Sequence, residues 1–248
     1  MNRTVGMEVA SGVHRFGSRF VNWYVVEQAG RLTVVDAGLR GYWRQLEGAL
    51  RSLGRKPEDV EAVVLTHAHA DHIGFTQRPR STAGAAVHVH QADAEPGLRR
   101  YPPLHLYWRP ASWPMAVHAV RKGLFGTPDV GAVASFADGE TLEVPGRPRV
   151  HHLPGHTRGS CALYLADASV VFSGDALVTY DPYTGRRGPR LLVKGVNEDN
   201  AQARASLEEL AGVNARVLLP GHGEPWGDGV AAAVAAARRS HRRRGRAG

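Results

Sequence analysis

Thr66-His67-Ala68-His69-Ala70-Asp71-His72 sets four side chains of metal-binding type within six residues, directly after the apolar run EAVVLT (61–66). That run reads as a buried strand, so the four stand at its C-terminal end. Two histidines two residues apart on an extended segment aim both imidazoles at one ion. The adjacent Asp71-His72 pair, past a tight turn, faces a second. Alanines 68 and 70 leave room between them. A His-x-His pair alone suits a hydrogen-bonded polar loop as well as a metal site, so the reading depends on what lies elsewhere in the chain.

Three further places carry the same chemistry. His156 lies in Pro154-Gly155-His156-Thr157, Asp175 in Ser173-Gly174-Asp175-Ala176, and His222 in Pro220-Gly221-His222-Gly223. Each follows a strand-like run (RVHHL 149–153, SVVFSG 169–174, ARVLLP 215–220), and each has a glycine just before it. Four loops thus converge at strand ends.

The remaining chain supplies layers around those strands. FVNWYVVEQ (20–28) and RLTVVD (31–36), joined at Ala29-Gly30, read as a hairpin. AAVHVH (85–90) and CALYLA (161–166) read as further strands. Tyr42, Leu46, Leu50 and Leu53 recur at helical spacing between Gly41 and Gly54. Helices also read at 198–211 and at 228–240, the latter capped by Asp228. Strands with helices between and outside them predict an α/β layered sandwich. Residues 95–131 fit none of this: six prolines, aromatics and arginines surround one short helix. They read as an insertion, suited to capping a cleft or to a contact between two copies in a homodimer.

With 43% hydrophobic and 22% charged residues in 248, the chain reads as a single globular domain, 1–248, rather than a disordered one. The first twenty residues hold no apolar run of signal-peptide length, and no run suits a membrane span; a cytoplasmic protein is expected. Cys161 is the only cysteine, so an intrachain disulfide is excluded and any metal must rest on imidazole and carboxylate. Cys161 itself, at the start of an apolar strand, reads as a buried inert thiol. The net charge of +8 suggests a nucleic-acid partner until its placement is considered. Six arginines in the tail RRSHRRRGRAG (238–248) leave only +2 on residues 1–237. That tail reads as a flexible solvated end, and no nucleic-acid partner is expected.

The string His-x-His-x-Asp-His, followed by a distant His, Asp and His each after a strand, resembles the metallo-β-lactamase superfamily. The likeness runs from the first hairpin through His222, leaving out 95–131 and the tail. It implies an αββα sandwich of two mixed β-sheets flanked by helices. It also implies two divalent ions, zinc first and iron or manganese as alternatives. His67, His69 and His156 would hold one, Asp71, His72 and His222 the other, and Asp175 would bridge both. Asp36, closing the second strand, would support the ligand loop rather than bind metal. The chemistry implied is hydrolysis of a small ester, lactone or thioester by a hydroxide between ions about 3.5–4 Å apart, with Asp71 orienting it and passing on its proton.

Departures from named branches bear on the substrate. One lactamase subclass shares the His-x-His-x-Asp-His string and the Gly-His-Thr-x-Gly-Ser loop but has serines where Asp175 stands, so β-lactam hydrolysis is an alternative rather than the reading. Glyoxalase II-type thioesterases share all seven positions but add a basic helical region after the last histidine. Lactonases of this type place a tyrosine soon after the bridging aspartate, where Tyr180 comes five residues on. A phosphodiesterase (nuclease) is the remaining alternative, with the basic tail as its support. Trp108 and Tyr180 are the candidate substrate contacts. Thr157 and Ser160 read as holding their loop through bonds to backbone, and His14, His88, His90, His105, His118, His151, His152 and His241 as non-ligands.

Overall fold

The computed structural model describes residues 6–95, 101, 104–127, 130–131 and 133–245. Arg99, Arg100 and Arg246, and the side chains of Leu104, Tyr107, His241 and Arg242 to Arg244, lie outside that description.

Seven strands, β1 (Met7–Ala10), β2 (Val13–Gly17), β3 (Asn22–Gln28), β4 (Arg31–Val35), β5 (Val60–Val64), β6 (Ala86–His90) and β7 (Ala134–Phe136), form one sheet in that order. The first four pair antiparallel and β4 to β7 pair parallel. The second half of the chain supplies β8 (Arg149–His152), β9 (Cys161–Leu165), β10 (Val170–Gly174), the hairpin β11 (Val178–Asp181) and β12 (Arg186–Arg190), and β13 (Val217–Pro220). Its four-stranded sheet has the order β13-β10-β9-β8, with β10 and β13 parallel and the other pairs antiparallel. Among the described residues five α-helices accompany them: α1 (Trp43–Ser52), α2 (Gln77–Ala83), α3 (Trp113–Arg121), α4 (Asn200–Ala211) and α5 (Val230–Gly245).

Because successive side chains on a strand point to opposite faces, alternate residues of the same strands enter different cores. Tyr24, Val26, Val35 and Val64 meet Val150, Leu163, Val170 and Phe172 of the second sheet. Their neighbours Val25, Val34 and Val63 face the other way, onto Leu46 and Leu50 of α1 and Met115 and Ala119 of α3. In the second sheet Ala162, Val171 and Leu218 turn outward onto Leu207 and Leu210 of α4 and Ala233 and Val234 of α5. The result is the expected αββα sandwich of two mixed sheets.

Strand direction places the site. β8 and β10 are both antiparallel to β9, and β13 is parallel to β10, so β8, β10 and β13 end on the same side. The parallel strands β4 and β5 end there too. A hydrogen bond from Cys161 N to Thr66 O, 2.9 Å, ties the two sheets together at that edge.

Several elements depart from the sequence reading. β1, β2, β7, β11, β12 and α2 were not expected. The last helix starts at Val230, and Gly229 O accepts from Ala233 N, so Gly229 rather than Asp228 occupies the cap position. The stretch at 95–131 is less separate than its composition suggests, because Met115, Ala119, Leu124 and Val130 belong to the core beside the first sheet. Among the described residues no helix is long and apolar enough to cross a membrane.

Candidate metal centre

Each metal-type side chain sits where a strand gives way to a loop, and all seven are buried. One ligand-type atom from each of His67, His69 and His156 lies within 4.8 Å of the other two. The same holds for His67, His72 and Asp175, and for Asp71, His72 and His222. Asp175 occupies the middle: its carboxylate oxygens stand 2.9 Å from His222 Nε2, 3.4 Å from His156 Nε2, 3.6 Å from His72 Nε2 and 4.0 Å from His67 Nε2. Asp71 Oδ2 is 3.7 Å from His222 Nε2 and 3.9 Å from His72 Nε2.

The decisive observation concerns what these atoms lack. His67 Nε2, His72 Nε2, His156 Nε2 and Asp175 Oδ1 are buried without a hydrogen-bond partner. A buried polar atom left unpaired costs about 1–3 kcal/mol, and four aimed at one small volume make a cradle that bound metal would complete. Imidazole and carboxylate donors fit zinc and neighbouring transition ions.

The far sides of the rings are held. His72 Nδ1 donates to Asp36 Oδ2 at 3.0 Å, and His156 Nδ1 to Asn197 Oδ1 at 3.1 Å. His222 Nδ1 donates to Phe20 O. His67 Nδ1 lies 3.1 Å from Thr66 Oγ1, which itself donates to Asp36. With Nδ1 carrying the proton, each of these rings presents the Nε2 lone pair inward. Asp36 thereby orients two histidines at once, from a backbone in the left-handed region (φ 56°) that aspartate tolerates better than most residues.

Other supports were invisible in the sequence. Buried Asp93 accepts from Ala68 N (3.1 Å), Thr157 Oγ1 (2.7 Å) and Gly159 N (2.9 Å), joining the His67–His69 segment to the His156 loop. The Thr157 hydroxyl thus bonds a carboxylate and Ser160 Oγ, rather than backbone as expected. Asn22 Nδ2 donates to Pro220 O and Gly223 O, and Tyr24 Oη to Pro220 O, fixing the His222 loop. Asn197 precedes α4, whose cap Asp199 accepts from Ala201 N and Gln202 N while its own N–H bonds Gly155 O.

Electrostatics in the metal-free site follow from this crowding. Burial disfavours charge on the imidazoles of His67, His72, His156 and His222, yet the carboxylates of Asp175, Asp36 and Asp71 outweigh it at His72 and push it up to about 10. His222 is raised by Asp175 against the same burial. His67 and His156 go down, burial being the main cause. Burial would raise Asp175, but His222, His72 and His156 hold its carboxyl well below the usual range.

The glycines before the site residues have a steric reason. A Cβ on Gly221 would lie 2.2 Å from Asp175 Oδ1 and 2.7 Å from His72 Cε1. Gly155 adopts φ 129°, and a Cβ there would meet Ala203 N at 2.2 Å. Gly221→Ala is expected to displace Asp175, cost about 1–3 kcal/mol of stability and reduce bound metal with the circular-dichroism spectrum unchanged. Parent-like metal content by elemental analysis would contradict it.

The two candidate substrate contacts separate. Tyr180 packs on Phe20, its N–H bonds His222 O, and it lines a cavity of about 270 Å³ with Arg19, Gly223 and Trp226. Trp108 is 84% exposed and no cavity wall described here includes it. Of the other histidines, His90 stacks on His152, His118 Nε2 meets Tyr42 Oη and His151 pairs with Glu209. Cys161 is buried, and burial pushes its thiol well above the ordinary value. A maleimide should therefore leave the native protein unlabelled and label it after denaturation; stoichiometric labelling of native protein would contradict that burial.

Residues 16–222 match the metallo-beta-lactamase superfamily. The chain is 25% identical over 244 residues to the probable metallo-hydrolase YflN of Bacillus subtilis, covering 89% of this chain and 87% of that one. It is 28% identical over 235 residues to acyl-coenzyme A thioesterase MBLAC2 of Gallus gallus, covering 88% and 80%. Among solved structures, a metallo-beta-lactamase family protein from Thermus thermophilus superposes with a TM-score of 0.67 at 28% identity, covering 96% and 81%.

Proposed function

The chain belongs to the metallo-β-lactamase superfamily and is a metal-dependent hydrolase, and on that premise we propose that it cleaves small acyl compounds, thioesters foremost, at a two-ion centre. The observation that carries this reading is the set of inward, unpartnered atoms on His67, His72, His156 and Asp175. His67, His69 and His156 would hold one ion, Asp71, His72 and His222 the other, and Asp175 both, with zinc favoured by the donor set. When bound, such ions polarise a carbonyl oxygen and make water a nucleophile near neutral pH.

The chain's own residues then do the rest. Water adds to the acyl carbon, the bond from that carbon to sulfur or oxygen breaks, and a carboxylic acid leaves with a thiol or alcohol. Asp71 takes up the proton of the attacking water on its carboxylate and returns it to the departing atom. Asp36, Asn197 and the Phe20 carbonyl keep the rings aligned, so no reorganisation of the ligands accompanies each turnover. Thioesters are favoured over lactones by the likeness to a protein named as a coenzyme A thioesterase.

A panel of an acetyl thioester, a lactone, a cephalosporin and a phosphodiester, each with and without chelator, tests the proposal. Chelator-sensitive cleavage led by the thioester is expected. Cleavage led by the cephalosporin or the phosphodiester would replace the reading with β-lactam hydrolysis or nuclease activity.

A further inference from the structure

A concavity of about 1180 Å³ is lined by none of the seven metal-type residues. It lies beside the β11–β12 hairpin, the 104–112 segment and the start of α4. Its charge is one-sided: Arg109, Arg186, Arg187, Arg190, Lys194 and Arg204 line it, and among the described residues no aspartate or glutamate does. Among the described residues, none of Arg109, Arg186, Arg187, Lys194 and Arg204 forms an ion pair. Of the acids nearby in sequence, Glu198 pairs with Arg158 and Glu208 with Arg238, while Asp199 accepts from the N–H groups of Ala201 and Gln202 and feels Arg204 only as a lesser influence. Part of the wall is apolar, with Leu106, Leu192 and Val193 buried behind it. The cavity adjoins the metal centre at Asn197, which lines it and accepts from His156 Nδ1 on the side of that ring turned away from the other site residues.

Like charges collected in a concavity repel one another and concentrate anions there. Guanidinium forks match phosphate oxygens in pairs, and a lysine adds a point charge. The volume exceeds what a simple acyl group needs, and the apolar wall suits the organic part of the same ligand. We propose that this cavity binds a phosphorylated organic anion, the non-reacting body of a substrate whose acyl end extends around the His156 ring to the metal centre. This rests on the thioester reading above and narrows it to thioesters of a phosphate-bearing thiol such as coenzyme A.

The test compares acetyl-coenzyme A with an acetyl thioester of N-acetylcysteamine, which keeps the reacting group and lacks the phosphates. Three proteins are used: the metal-loaded parent, Arg187→Ala/Lys194→Ala/Arg204→Ala, and a control that removes as many cations elsewhere, Arg31→Ala/Arg51→Ala/Arg147→Ala. All six replaced residues are exposed, so parent-like melting is expected and is checked. In the cavity variant kcat/KM for acetyl-coenzyme A should fall at least tenfold through KM, with the truncated thioester and the control within twofold of the parent. ADP, titrated calorimetrically as the probe of the phosphate-bearing part, should bind the parent and Asp175→Ala alike, weaken with salt and be lost in the cavity variant. Thioester cleavage without ADP binding or phosphate preference overturns the cavity and leaves the hydrolase reading intact. ADP binding that depends on the three cations, with neither thioester cleaved, overturns the thioester reading and restricts the cavity to free organic phosphates. ADP binding lost in Asp175→Ala but kept in the cavity variant assigns the phosphates to the centre and overturns the proposal.

Discussion

Asp175→Ala is expected to leave a folded protein that purifies with little metal and hydrolyses thioesters slower by a factor on the order of 10³, equivalent to about 4 kcal/mol of transition-state stabilisation. The reason is position. Its two oxygens stand within 4.0 Å of Nε2 on four histidines, and no other carboxylate among the described residues reaches all four. Without it the imidazoles face one another with only Asp71 to balance two ions. Elemental analysis should fall from about two zinc ions per chain to below one, with Tm measured on both proteins after chelation to separate folding from loading. Unchanged metal and activity in the variant would refute the two-ion assignment. The pH dependence has a definite sign. In the metal-free protein His72, pushed up to about 10, keeps its proton at neutral pH and His222 is shifted in the same direction, so binding must expel protons. Affinity should therefore climb as pH rises, and loading should release acid.

The second large effect is expected at a residue that touches no ion. Asp36 accepts Thr66 N at 2.8 Å, Thr66 Oγ1 at 2.9 Å and His72 Nδ1 at 3.0 Å, all buried. Asp36→Ala strands three donors, a loss on the order of 3 kcal/mol and a Tm drop of roughly 10 °C in a chain this size. Metal affinity should fall about 10–100-fold as His72 and His67 lose their orientation. Asp36→Asn separates the two effects. Its amide keeps the volume and one acceptor, so much of the stability should return, while the NH2 group facing His72 Nδ1 keeps affinity low. Full recovery of affinity in Asp36→Asn would mean that shape, not the carboxylate, holds the ring.

What could be read from the chain follows from distance along it. His67 to His72 are neighbours in sequence, and the glycines before His156, Asp175 and His222 mark turns, so the clustering of these side chains and the sandwich were accessible to pattern. Asp93 and Asn197 were not: the first bonds Ala68 across 25 positions and the second bonds His156 across 41. Nothing in DAE or VNE around them signals a partner. β12 was passed over because RRGPR has no apolar alternation, and α2 because QRPRSTA carries a proline within seven residues. β1 and β2, MEVA and VHRFG, are short and partly charged, and their pairing with β3 is what makes them strands. The burial of Met115 and Ala119 shows how an irregular composition hid a segment that closes one core.

The proposed ligands divide between the two sheets, His67 to His72 following β5 and His156, Asp175 and His222 following β8, β10 and β13. During synthesis the first cluster leaves the ribosome about 150 residues before the last histidine. Until then the nascent chain offers the early histidines no completed cage, and a captured ion remains open to exchange. With these ligands loading would be a closing event that fastens one half of the chain to the other, and a filled site would report that both halves have come together in register.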